Sequence, residues 1–92
     1  MEPPMPEVVV YLTPYCPYCV RARALLDRKG VPYRVIDVGT DPALWAEMER
    51  RSRRSTVPQI FVGAHHVGGY DDMAALDREG VLDELLGLRA EG

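Results

Sequence analysis

Val8-Val9-Val10-Tyr11-Leu12-Thr13-Pro14-Tyr15-Cys16-Pro17-Tyr18-Cys19-Val20-Arg21-Ala22-Arg23-Ala24-Leu25-Leu26-Asp27-Arg28-Lys29-Gly30 holds two changes of pattern in close succession. Its first five residues are apolar and mostly β-branched, without polar alternation, which predicts a central strand covered on both faces. Thr13-Pro14 ends that strand. From Pro17 to Lys29 the period becomes helical: Ala22, Leu25 and Leu26 stand at i, i+3 and i+4, while Arg21, Arg23, Asp27 and Arg28 fill the opposite side. Pro17 suits the first helical turn, which needs no N–H from it. Gly30 suits the left-handed position beyond the last turn. Cys16 and Cys19 therefore fall where a strand hands over to a helix.

A second β-rich run, Tyr33 to Val38, follows closely, and a strand-helix-strand unit of this length predicts a parallel pair with a right-handed crossover. Thr40 or Asp41 is a candidate cap for a second helix, with Pro42 in its first turn and Leu44 and Met48 four apart on its inner face. After an Arg-rich turn, Gln59-Ile60-Phe61-Val62 and His65-His66-Val67 flank Gly63-Ala64, which predicts an antiparallel hairpin. Gly68-Gly69-Tyr70 breaks the pattern. Asp71 or Asp72 then caps a third helix from Met73 to Glu79, and Val81 to Leu88 supplies a last short one. The order β-α-β-α-β-β-α-α predicts an α/β protein of thioredoxin-like fold, a four-stranded mixed sheet flanked by helices.

Ninety-two residues fit one domain, expected over residues 8–92 behind a flexible, Pro-stiffened tail at 1–7. Hydrophobic residues make up 47% and charged ones 27%, a globular balance. Eleven basic against fourteen acidic side chains leave a net charge of −3, so the chain lacks the positive field that gathers nucleic acid. Residues 1–7 contain neither a basic n-region nor an apolar h-region. The longest apolar run, Val8 to Leu12, is far short of the ~20 residues that cross a bilayer. A cytoplasmic monomer without membrane or nucleic-acid partners is expected. In that compartment a cysteine pair is catalytic or metal-binding more often than a structural staple.

The sulfur of Cys16 would face the unpaired N–H groups and positive end of the helix, which favour a thiolate and make it the attacking nucleophile. Cys19, one turn on, shares a face with Ala22 and Leu26; burial should hold its proton. Once Cys16 is bonded to a substrate sulfur, Cys19 can displace that substrate and leave a Cys16–Cys19 disulfide. Tyr18 reads equally well as a border of the thiol site or as a partly packed surface aromatic. Two metal readings compete: half a zinc site completed by His65 and His66, or an iron-sulfur cluster shared between two chains with Cys16 as a ligand. Zinc needs four convergent ligands, whereas adjacent histidines on a strand point to opposite faces, and Pro17 stiffens the turn. No bound metal is expected.

Three segments, Cys16-Pro17-Tyr18-Cys19, Thr56-Val57-Pro58 and Gly68-Gly69-Tyr70-Asp71-Asp72, resemble in order and spacing the glutaredoxin family, most closely the bacterial dithiol glutaredoxins, from Val8 to about Leu86. The resemblance implies a thiol-disulfide oxidoreductase with Cys16 and Cys19 as its redox-active pair and no bound cofactor. Glutathione would be the electron-donating cosubstrate. Its clients would be disulfide-containing or glutathionylated proteins, with ribonucleotide reductase as a family-level candidate. The resemblance further implies a cis Val57–Pro58 bond against the cysteines, with the Val57 backbone pairing with the cysteinyl part of glutathione and Thr56 and Tyr18 beside it. Tyr70, Asp71 and Asp72 would receive the γ-glutamyl end, and Thr13 and Pro17 would support the active site. This is consistent chemistry: an exposed backbone edge can be joined by a peptide, and a helix N-terminus attracts a carboxylate. Asp71 and Asp72 also read simply as helix caps.

Two positions depart from the family pattern. Thr13 stands where many members carry a Lys that supports the thiolate and the glycyl carboxylate, and Trp45 stands where a Gln or Arg contact is common. Arg53 or Arg54 could take that carboxylate instead, although Arg50, Arg51, Arg53 and Arg54 also read as a solvated helix end favoured by the dipole. A glutaredoxin-like redoxin reduced by thioredoxin reductase is the alternative within redox chemistry. Such redoxins usually lack the Gly-Gly-x-Asp-like segment and carry an aromatic-rich C-terminal segment, so the sequence favours glutathione.

Overall fold

The computed structural model describes residues 6–88. Strand β1 (Val8–Leu12) leads into helix α1 (Pro17–Lys29), then β2 (Arg34–Asp37), α2 (Pro42–Ser52), β3 (Gln59–Val62), β4 (His65–Gly68), α3 (Tyr70–Arg78) and α4 (Val81–Leu86). The sheet order is β2-β1-β3-β4. β1 runs parallel to β2, with Val10 opposite Val35, and antiparallel to β3, with Val10 opposite Ile60. The β3–β4 hairpin turns at Gly63-Ala64 and carries a register shift between Ile60 and Phe61. The architecture is the expected four-stranded mixed sheet of the thioredoxin-like fold.

All five residues of β1 are buried because both sheet faces are covered. Val8, Val10 and Leu12 join Ala22, Leu25 and Leu26 of α1, Met73 of α3, and Leu82 and Leu86 of α4 in one cluster. Val9 and Tyr11 face the other way, toward Phe61, Val38 and Met48 of α2. Burying each of the larger aliphatic side chains contributes about 1.5–3 kcal/mol relative to exposure, so β1 anchors both layers. The chain's single lysine, Lys29, ties the end of α1 to the other two helices of its layer through Asp77 at 2.5 Å and Asp83 at 2.8 Å.

On the α2 side the buried Tyr11 needs partners for its hydroxyl. It donates to Glu47 Oε2 at 2.6 Å and accepts from Arg51 Nη1 at 2.7 Å. The Arg51 guanidinium also lies 4.2 Å from the centre of the Phe61 ring. Arg51 thus belongs to the packing of the α2 layer rather than to a solvated run of arginines.

Element ends differ from the sequence reading in instructive ways. β2 is shorter than Tyr33 to Val38: the Tyr33 hydroxyl donates to Asp27 Oδ1 at 2.8 Å, and the Val38 N–H turns back to the Leu12 carbonyl at 2.9 Å. Of the two caps for α2, Asp41 is the one used, its Oδ1 accepting from the Ala43 N–H at 2.9 Å. α3 begins at Tyr70 rather than Met73, because Asp72 sits inside its first turn and reaches back to the Gly69 N–H at 3.0 Å. Gly69, not an aspartate, is therefore the cap residue. α4 stops at Leu86, where Gly87 turns left-handed.

α2 ends on Arg53 at φ 61°, in the left-handed region, its N–H bonded to the Glu49 carbonyl at 2.8 Å. A Cβ at such a position costs about 1–2 kcal/mol, part of which the extra chain entropy of glycine would offset. Arg53→Gly is expected to stabilise the protein by about 1 kcal/mol, raising the thermal midpoint by roughly 4–8 °C in a domain of this size. An unchanged or lowered midpoint would show that the arginine side chain compensates for the strain.

Candidate active site

Cys16 is the last extended residue before α1, at φ −82° and ψ 125°. Its carbonyl accepts from Val20 N at 3.0 Å and its N–H reaches the Thr13 carbonyl at 3.4 Å. The side chain does not cap the helix, so the sulfur is left at the helix N-terminus. It is partly exposed, with Sγ 4.0 Å from the Val57 carbonyl oxygen. Cys19 is 1% exposed and packs with Ala22 and Leu26, as its place on the helix requires. Burial pushes its thiol up to about 11; hydrogen bonding to Thr13 acts in the opposite direction and the neighbouring Cys16 adds to the rise. Both cysteines are free thiols, one presented and one held back.

Opposite Cys16 lies the turn before β3, where the Val57–Pro58 peptide is cis. A groove of about 340 Å³ runs from there to the start of α3, lined by Tyr18, Arg54, Thr56, Val57, Pro58, Gly69, Tyr70, Asp71 and Asp72. Seven of these are the residues singled out from the resemblance, brought together from three segments of the chain. Tyr18 is 49% exposed, its ring 5.3 Å from the Arg21 guanidinium, and it borders the groove. Gly69 joins the two walls: a Cβ there would lie 3.6 Å from the Pro58 carbonyl oxygen. In the sequence it reads as a breaker of the strand pattern within the Gly68–Asp72 segment, and a residue without a side chain gives no sign of a groove-lining role.

Of the two arginines considered for a carboxylate, only Arg54 lines the groove. Its Nη1 lies 2.9 Å from Asp72 Oδ2, the oxygen that also accepts from Gly69 N. The Gly69 N–H first, and then Arg54, hold the Asp72 carboxyl below its ordinary value of 3.8. Gly68, at φ 112°, is required beside it, since a Cβ there would lie 2.9 Å from Asp72 Cγ. Trp45 packs against the second core cluster instead of facing the groove. Thr13 is buried and shares a separate cleft with Cys19, so its support goes to the buried thiol. Pro17 occupies the first position of α1.

The zinc quartet is not assembled. Cys19 packs into the α1 layer, whereas His66 stacks on Phe61 of the α2 layer at 4.8 Å and 28°, and His65 is exposed. Among the described residues no group of three or more His, Cys, Asp and Glu side chains could hold a metal ion. Among the same residues no helix is long and apolar enough to cross a membrane.

A Cys-x-x-Cys pair at a strand-to-helix junction, facing a cis-proline turn on a thioredoxin-like sheet, defines a thiol-disulfide oxidoreductase. Comparison with known proteins narrows the class. The family model described as Glutaredoxin matches residues 8–67. A glutaredoxin of Pseudomonas aeruginosa is 54% identical over 82 residues, covering 89% of this chain and 98% of its own. The solution structure of a Brucella melitensis glutaredoxin, 52% identical, superposes with a TM-score of 0.81 over 96% of both chains. A buckwheat glutaredoxin, crystallised as a glutathione complex and 32% identical, also gives 0.81 over 87% of this chain and 76% of its own. The chain belongs to the glutaredoxin family.

Because the Asp72 carboxyl is depressed in the folded state, it contributes stability above the ordinary aspartate value and loses it as pH falls through its own. Asp72→Asn is expected to melt at a lower temperature than the wild type at pH 7, and the gap should narrow as pH falls below the ordinary aspartate value and close once it has passed the folded carboxyl's own depressed one. A gap as wide at pH 3 as at pH 7 would mean that the carboxylate charge is not what Gly69 and Arg54 recognise.

Proposed function

We propose that the protein is a glutathione-dependent disulfide oxidoreductase that reduces protein disulfides and glutathione-mixed disulfides in the cytoplasm. The observation that carries this reading is the groove itself, which begins at the cis-proline turn beside Cys16 and ends on the first turn of α3. Each part has chemistry for one part of a γ-glutamyl tripeptide. The Val57 backbone offers an edge to the cysteinyl unit, and the α3 N-terminus offers N–H groups to the γ-glutamyl carboxylate. Asp72 is already engaged by Gly69 and Arg54, which leaves Asp71 for the ammonium. Arg54 lines the groove and is bonded to Asp72 through Nη1, and its remaining N–H groups are offered to the glycyl carboxylate where Thr13 replaces the family's lysine.

With a glutathionylated protein, the Cys16 thiolate attacks the glutathionyl sulfur and the client leaves as its thiolate. A second glutathione thiolate then attacks the sulfur bonded to Cys16, giving glutathione disulfide and restoring Cys16. With a protein disulfide, Cys16 bonds to one client sulfur and the other departs. Cys19 loses its proton, attacks Cys16 Sγ and releases the second client thiolate, leaving a Cys16–Cys19 disulfide. Two glutathiones return that disulfide to the dithiol and become one glutathione disulfide. The buried, proton-retaining Cys19 suits the resolving role, since it stays out of the first attack at neutral pH.

The test is reduction of a glutathionylated peptide by the pure protein, with glutathione or thioredoxin reductase as electron source. Turnover with glutathione should vanish in Cys16→Ser and survive in Cys19→Ser. Turnover confined to thioredoxin reductase would contradict the glutathione reading and leave only the coarser oxidoreductase activity.

A further inference from the structure

Gln59 is a polar side chain with no exposure at all, at the first position of β3 immediately after the cis-proline turn. Its Nε2 lies 3.1 Å from the Thr56 carbonyl oxygen and 3.2 Å from Thr56 Oγ1, while its Oε1 lies 2.7 Å from His66 Nε2. A carbonyl can only accept, so the nitrogen end of the Gln59 amide must face Thr56 and its oxygen must face His66. His66 Nε2 is therefore the donor. The histidine is held for that task by its stack on Phe61 at 4.8 Å. Burial and the nearby Arg54 keep its pKa below the usual histidine value.

We propose that His66 and Gln59 form a positioning relay: the His66 Nε2–H anchors the oxygen end of the buried Gln59 amide, whose nitrogen end in turn holds Thr56 and the groove wall it begins. His66 itself does not line the groove. Without that donor the buried Gln59 oxygen is left unpaired and the amide is held only by its two contacts to Thr56; a shift toward another partner would loosen the wall that places Val57 beside Cys16. The relay acts on recognition, because neither residue touches the cysteines' sulfur chemistry. The effect on substrate rests on the glutathione reading of the groove.

Two replacements separate the donor from the ring. His66→Phe keeps a ring on Phe61 and removes the donor; His66→Gln loses the stack and keeps a donor at the same reach. His66→Phe should raise KM for a glutathionylated peptide about three- to tenfold, the weight of one hydrogen bond, with kcat and the alkylation rate of Cys16 unchanged. His66→Gln should stay within about twofold of wild type. Gln59→Met, which cuts the relay at its centre, should match His66→Phe, and the double variant should be no worse than either single one. In NMR spectra the Gln59 side-chain amide should give two distinct, slowly exchanging proton signals in the wild type and His66→Gln and lose that protection in His66→Phe. Equal impairment of His66→Phe and His66→Gln, or additive effects in the double variant, would overturn the relay. Wild-type protein that does not prefer the glutathionylated peptide to a plain disulfide peptide would end the glutathione reading instead, and the Gln59 signals would still decide the relay.

Discussion

The active site depends on a strand that ends in the middle of the protein. β1 is buried along its whole length between two helical layers, so the residues that follow it emerge from the core at a fixed place and in a fixed direction. Cys16 is where extended backbone becomes helical, and the same turn that exposes its sulfur carries Cys19 back into the α1 layer. The contrast between the two thiols follows from that geometry. Neighbours of one helical turn differ in solvation because the helix has one buried face, and desolvation is the largest cause of the rise in the Cys19 thiol.

The second half of the site is brought to the first by the sheet. β3 pairs with β1, which sets the cis-proline turn in front of it against Cys16, and the β3–β4 hairpin delivers the start of α3 to the same side. Gly69 lies between these two segments, and the Asp72 carboxylate that folds back on its N–H requires Gly68. The Gly68-Gly69 pair and Asp72 thus work as one unit: it starts α3, shapes one groove wall and holds Arg54 in place through a charged hydrogen bond.

Much of this is legible in the sequence, and the limits are physical. The period change from Val8–Leu12 to Pro17–Lys29 reports β1 and α1 because it records burial, first on two faces and then on one. The groove residues are legible as three segments but not as a constellation, since pattern reading contains no information about which loops meet. Asp71 and Asp72 look like outside caps because an aspartate before an apolar run usually is one; that Asp72 lies within the helix depends on Gly68 leaving room for its carboxylate. Arg51 and Arg54 look alike in a basic run, yet Arg51 is committed to Tyr11 and Phe61 and Arg54 to Asp72. His65 and His66 read as ordinary hairpin residues; the bond from His66 to a fully buried Gln59 is visible only across the strands.

The structure of Cys19→Ser carrying glutathione as a mixed disulfide on Cys16 bears most directly on these conclusions. The tripeptide should lie along the groove, its cysteinyl unit paired with the Val57 backbone, its γ-glutamyl carboxylate on the first turn of α3 and its glycyl carboxylate near Arg54. Glutathione attached to Cys16 but directed elsewhere, with the Thr56–Pro58 and Gly69–Asp72 walls unoccupied, would contradict the assignment of this groove as the glutathione site.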